Sequence, residues 1–139
     1  MKNRLAEILV TGGHSLAVDN GTVHAYDGCG VSDLRRLLVE EPEMLHMAEV
    51  ADKVVGKAAA ALMVKGGVRK VFGVVVSELA AGLLRQNGVE LVCETLVPYI
   101  ENRRRTGWCP LETRCKDCVS VDECVAAIEQ FINEQNKNR

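Results

Sequence analysis

Apolar residues first recur at helical spacing as Leu5, Ile8 and Leu9, in a stretch 2–11 that stops at Gly12-Gly13. The pattern then switches to alternation. HSLAVDNGTVHAYDG sets apolar and polar positions in turn on both sides of Asn20-Gly21, a strong short-range hairpin signal. Ser32 is placed to cap a helix whose face is Leu34, Leu37 and Leu38 and which ends near Pro42. Next, AEVADKVV predicts a strand, GKAAAALMVKGG a helix closed by Gly66-Gly67, and VRKVFGVVV a buried strand. SELAAGLLRQNG predicts a helix with Ser77 as cap and Gly88 as stop, and VELVCETLV a further strand. Residues 102–112 read as a loop, and a last helix starts at Ser120 with Glu123 completing a capping box. Its apolar stripe is Val121, Cys124, Val125, Ile128, Phe131 and Ile132.

The middle of the chain is therefore βαβαβ, and right-handed crossovers make its three strands parallel. An antiparallel hairpin feeding that unit predicts a mixed α/β sheet with helices on both faces and a C-terminal helix. The length of 139 residues suits one domain, 1–139. Within it, 113–139 form a cysteine-containing loop, the terminal helix and a polar tail, NEQNKNR, expected to fray.

Composition narrows the function classes. A net charge of −2 gives no overall pull towards nucleic acid or anionic lipid, and the only basic run is Arg103-Arg104-Arg105. MKNRLAEILVTGGHS lacks an apolar core long enough for a signal peptide, and no later stretch approaches a membrane span. A cytoplasmic location is the expectation, with no membrane or nucleic-acid partner. Thiols are normally reduced there, so the cysteines are read first as packing, metal ligands or chemistry.

In open α/β sheets ligands bind beyond the carboxyl ends of the parallel strands. Those ends are Asp52-Lys53 leading to Gly56-Lys57, Ser77-Glu78, and the segment 98–112. Helix N-termini at Gly56 and Ser77 are expected to aim free N–H groups at one crevice, to which Lys53, Lys57 and Arg103 add charge and Asn102 an amide. Simpler readings stand beside these. Ser77 caps a helix anywhere, Gly56 lets a helix pack closely on a sheet, and Lys57 is ordinarily solvated. Asp52 and Lys53 interrupt what is otherwise a buried apolar strand, which is costly unless they meet a cleft or a partner.

GWCPLETRCKDCVSVDEC, residues 107–124, holds Cys109, Cys115, Cys118 and Cys124. Zinc needs about four protein ligands in a structural site, so this set could hold zinc or an iron–sulfur cluster. The competing reading takes Cys124 into the core stripe and leaves Cys115 and Cys118 as a dithiol or without a task. Pro110 holds Cys109 extended, beside an arginine run that can lower a thiol pKa, so Cys109 reads either as a reactive thiol or as a buried structural one. Cys29 and Cys93 read as packing.

DKVVGKAAAALMVKGGV (52–68), VSELAAGLL (76–84), LVPYIENRRRTGWCPLE (96–112) and the preceding hairpin together resemble a small prokaryotic family of unknown function with a cytidine deaminase-like fold. The resemblance implies a three-layer mixed sheet. Zinc deaminases place H-x-E or C-x-E at one core helix start and P-C-x-x-C at the next. Here those starts read VVGKAAA and VVSELAA, and His14, His24 and His46 lie elsewhere. No deaminase-type catalytic zinc is expected.

Two function classes follow. One is a small-molecule-binding protein for an anionic, nucleotide-like ligand at Asp52, Lys53, Gly56, Lys57, Ser77, Asn102 and Arg103. If that site catalyses a reaction, Cys109 is the candidate nucleophile and Glu78 or Glu112 the acid/base. The other is a non-catalytic metal-binding or redox module built on Cys109, Cys115, Cys118 and Cys124. A purely structural homo-oligomer, with the apolar ALMV helix or an exposed sheet edge as its interface, is a third possibility.

Overall fold

A computed structural model describes residues 3–28 and 31–137. Helix α1 (Arg4–Thr11) starts at Asn3, whose side chain accepts from the N–H groups of Leu5 and Ala6. Strands β1 (Leu16–Asp19) and β2 (Val23–Tyr26) form the hairpin, and Gly21 takes a φ of 112° in the turn. Helix α2 (Ser32–Glu40) and a 3-10 turn (Pro42–Met44) precede β3 (Glu49–Val55), α3 (Lys57–Gly66), β4 (Lys70–Ser77), α4 (Glu78–Gln86) and β5 (Glu90–Val97). Helices α5 (Pro110–Cys115) and α6 (Val121–Lys137) follow.

The strands form one five-stranded mixed sheet of order β2-β1-β3-β4-β5. β1 is antiparallel to β2 and β3, while β3, β4 and β5 run parallel. Helix α1 covers one face, burying Leu5, Ala6 and Leu9 against Ala17, Ala51 and Phe72. On the other face α2, α3, α4 and α6 share the larger core, which includes Leu37, Leu62, Leu84 and Ile128. The helices α3 and α4 return to neighbouring parallel strands with one hand, which puts both on that face. No helix among the described residues is long and apolar enough to cross a membrane.

Three local expectations change. Ser32 is the first residue of α2 and Val31 stands at the cap position without a side-chain bond; Asp33 instead accepts from the Gly28 N–H at 2.7 Å. The Ser120 hydroxyl does accept from the Glu123 N–H, but the Glu123 carboxylate reaches Val119 rather than the cap residue itself. The segment read as a loop to residue 112 already turns helical at Pro110.

A fourth feature shapes the region beyond the strand ends. Val50 and Val55 of β3 both enter the larger core, as do Val71 and Val76 of β4. Strict alternation would send each pair to opposite faces, so both strands reverse their facing part-way. The paired residues Val54 and Val75 lie in that stretch, and Val54 is 48% exposed.

Candidate functional site

The α3 N-terminus is occupied by the protein's own carboxylate. Glu112, 1% exposed, accepts from the Lys57 N–H through Oε1 at 2.7 Å and from the Ile100 N–H through Oε2 at 2.9 Å. Gly56 has no side chain with which to cap the helix, and a Cβ there would sit 3.2 Å from Glu112 Oε1 and 3.3 Å from Ile100 Cγ1. Glu112 therefore supplies the anion that an uncapped helix start attracts. Lys57 completes the clamp. Its Nζ donates to the carbonyls of Cys118 at 2.7 Å and Lys116 at 3.1 Å, at the end of α5. One residue thus receives α5 through its N–H and holds the far end of α5 through its amine.

The two helix starts therefore offer no open anion crevice. Ser77, fully buried, caps α4 by accepting from the Ala80 N–H at 3.1 Å. Lys57 is buried and engaged, which removes it from the expected ligand set. Asp52 is buried on β3, and burial pushes its carboxyl up to about 7, with the N–H groups of Val54 and Lys53 pulling the other way. Lys53 and Glu78 are exposed. Of the expected ligand residues, Asn102 and Arg103 line two adjacent cavities of similar volume, while Gly56 lines a smaller neighbour.

The first of these, of about 600 Å³, lies where the chain leaving β5 passes the ends of β3 and β4. Val54, Val75 and Val97 to Ile100 form its apolar walls, and Glu101, Asn102, Arg103 and Arg105 its polar side. The loop that carries the arginines is a small closed turn. Glu101 bridges Trp108, the Cys109 N–H donates to Ile100 at 2.8 Å, and the Asn102 N–H donates to Gly107 at 2.9 Å. Asn102 spends its amide inside the loop, accepting from the Thr106 N–H and donating to the Thr106 hydroxyl. Arg105 adopts a φ of 56° at the tip. None of Arg103, Arg104 and Arg105 takes part in an ion pair among the described residues. Beside the loop the rings of Tyr99 and Trp108 stack, centroids 4.5 Å apart and planes within 4°.

The model of a domain of unknown function, DUF1893, matches residues 4–132. The chain belongs to the DUF1893 family. A crystal structure of a DUF1893 family protein from Thermotoga maritima is similar to it in fold, with a TM-score of 0.84 at 20% sequence identity. The likeness covers 94% of this chain and 92% of that one. No curated protein matches.

In this DUF1893 member Cys115, Cys118 and Cys124 are neighbours, and Cys109 stands apart from them. Cys109 precedes α5 and Cys115 ends it, so about 9 Å of helical rise separates them. Cys109 instead lines an adjacent cavity of about 630 Å³, which shares Asn102 and Arg103, and a small one of about 100 Å³ beside Ile100 and Leu111. Cys115 and Cys124 are buried, and the Cys115 thiol lies 3.9 Å from the Cys124 carbonyl. Burial first, then the neighbouring thiols, pushes Cys115 up to about 12 and Cys124 up to about 11. Cys118 is half-buried on the same side. Among the described residues no group of three or more His, Cys, Asp or Glu side chains is arranged to hold a metal ion. Cys93 is half-buried on β5, and Cys29 lies outside the described residues.

Sequence reasoning missed the role of Glu112 as a cap, and the contributions of Arg105, Tyr99 and Val54 to the cavity. One signal for Glu112 was present. Pro110 at a first helical position with Glu112 two residues on is the pattern of a helix start, which α5 is. No local signal points from α5 to the backbone of Lys57.

Proposed function

We propose that this DUF1893 member is a small-molecule-binding protein on a cytidine deaminase-like scaffold without the deaminase zinc, and that it holds an anionic, nucleotide-like ligand in the cavity beneath the arginine loop. One observation carries the reading. Arg103 and Arg105 line, with Glu101 and Asn102, the polar side of a mainly apolar cavity of about 600 Å³ and form no ion pair among the described residues. Ligand sites commonly have volumes of about 300–1,000 Å³, mainly apolar walls and a few polar groups that fix orientation. Guanidinium groups match carboxylate or phosphate oxygens in geometry as well as charge.

The arrangement favours binding over catalysis. Both oxygens of Glu112 are engaged by backbone N–H groups. Glu78 lines none of the cavities near the loop, and Cys109 lines not this cavity but the adjacent one that shares Asn102 and Arg103. Thermal unfolding in the presence of nucleoside phosphates, sugar phosphates and inorganic phosphate tests the reading. A ligand at 100 times its dissociation constant adds about 2.7 kcal/mol, roughly a 10 °C rise for a domain of this size. The double variant Arg103→Ala/Arg105→Ala should lose that rise while keeping the unliganded midpoint. If none of these anions raises the midpoint, the proposal fails.

A further inference from the structure

We infer that the ligand carries a planar aromatic ring that stacks on Tyr99, so that the site takes a nucleoside phosphate in preference to a sugar phosphate. This rests on the anion-binding reading and specifies the uncharged part of the ligand. The chain holds 2 Phe, 2 Tyr and 1 Trp, and the Trp stacks on the Tyr that lines this cavity. Tyr99 lines the cavity and Trp108 does not, and the indole stacks on one face of the Tyr99 ring, which leaves the other face for a ligand ring. Lys116 Nζ lies 5.6 Å from the centroid of the Trp108 ring, and the Glu101–Trp108 bridge fixes the backbone between the two aromatics. Tyr99 is thus a wall held in a set orientation.

A ring laid on Tyr99 extends an existing parallel stack, with Val54 and Val75 as apolar neighbours. A charged group attached to that ring then has Arg103 and Arg105 within the same cavity. Every base has a π-face, so the stack selects for a base without selecting which one. Tyr99 contacts the ring; Trp108 is a positioning residue that acts through Tyr99.

Calorimetric titration of the full chain with adenosine monophosphate, cytidine monophosphate, ribose phosphate and inorganic phosphate tests this, and the single Trp adds a fluorescence readout. Stacking on an aromatic side chain should make both nucleotides bind about tenfold or more tighter than ribose phosphate, with saturable change in Trp108 emission. Tyr99→Phe should keep the preference. Tyr99→Leu, which fills space without a π-face, should erase it, with folding confirmed by circular dichroism. Equal affinities for nucleotides and ribose phosphate, all lost in Arg103→Ala/Arg105→Ala, would overturn the ring while leaving the anion site. A nucleotide preference unchanged in Tyr99→Leu would also overturn it. Absence of binding by all four probes removes the anion reading itself.

Discussion

Replacing Glu112 by Ala should cost more than any other single polar substitution in the described part of the chain. The carboxylate is buried and meets two backbone donors, Lys57 N–H at 2.7 Å and Ile100 N–H at 2.9 Å. Removing it strands both, and each unsatisfied buried donor costs about 1–3 kcal/mol. Loss of the negative charge at the start of α3 adds about 0.3–2 kcal/mol. The expected total is about 3–5 kcal/mol, a large part of the roughly 5–15 kcal/mol that stabilises a domain. The midpoint of thermal unfolding should fall by roughly 10–20 °C. Glu112→Gln keeps one acceptor and turns the other oxygen into a donor facing a donor, so it should lose about half as much. Urea titration followed by far-ultraviolet circular dichroism measures both variants, with the m-value as a check on two-state behaviour. A Glu112→Ala loss below about 1 kcal/mol at unchanged m would refute the claim that this carboxylate is the cap of α3.

Three further outcomes are expected. Burial raises the Asp52 carboxyl from 3.8 to about 7, so the folded state holds a proton that the unfolded state has released across that window. Its contribution is complete below pH 3.8 and disappears as pH rises through about 7, an effect of order 4 kcal/mol at most. Asp52→Asn should flatten this fall in stability, as read from urea midpoints on both sides of the window. Gly73→Ala should destabilise by about 1–3 kcal/mol, because an added Cβ collides with the buried Val76 side chain and presses on Val55; urea melts check it. In the native protein Cys115 and Cys124 should resist iodoacetamide near neutral pH, since their thiols are pushed up to about 12 and 11. Lys57→Met, which removes the ammonium that draws both thiols down, should leave them at least as resistant in the folded protein, measured by peptide mass spectrometry.

Much of the architecture was legible because it depends on local regularities. The helix periodicities, the caps at Ser77 and Gly67, the hairpin signal at Asn20-Gly21 and the βαβαβ order each lie within a few residues of what they specify. Together they led to the five-stranded mixed sheet, and Cys124 fell in the core stripe where the structure buries it. The helix at Pro110 was readable in principle from its first three residues.

The candidate site was legible only in outline. Position along the chain pointed to the ends of the parallel strands, and the cavity is there. Which groups are free there depends on contacts between distant segments. Fifty-five residues separate Glu112 from Lys57 and sixty-one separate Lys57 from Cys118, and no periodicity in either segment encodes the meeting. Sequence alone shows that a helix start needs an acceptor; only the packed chain decides whether solvent, a ligand or another of its own side chains provides it. Here Glu112 fills the α3 start, and Arg103 and Arg105 stand at the cavity without an ion pair among the described residues, in a short turn that closes on Asn102.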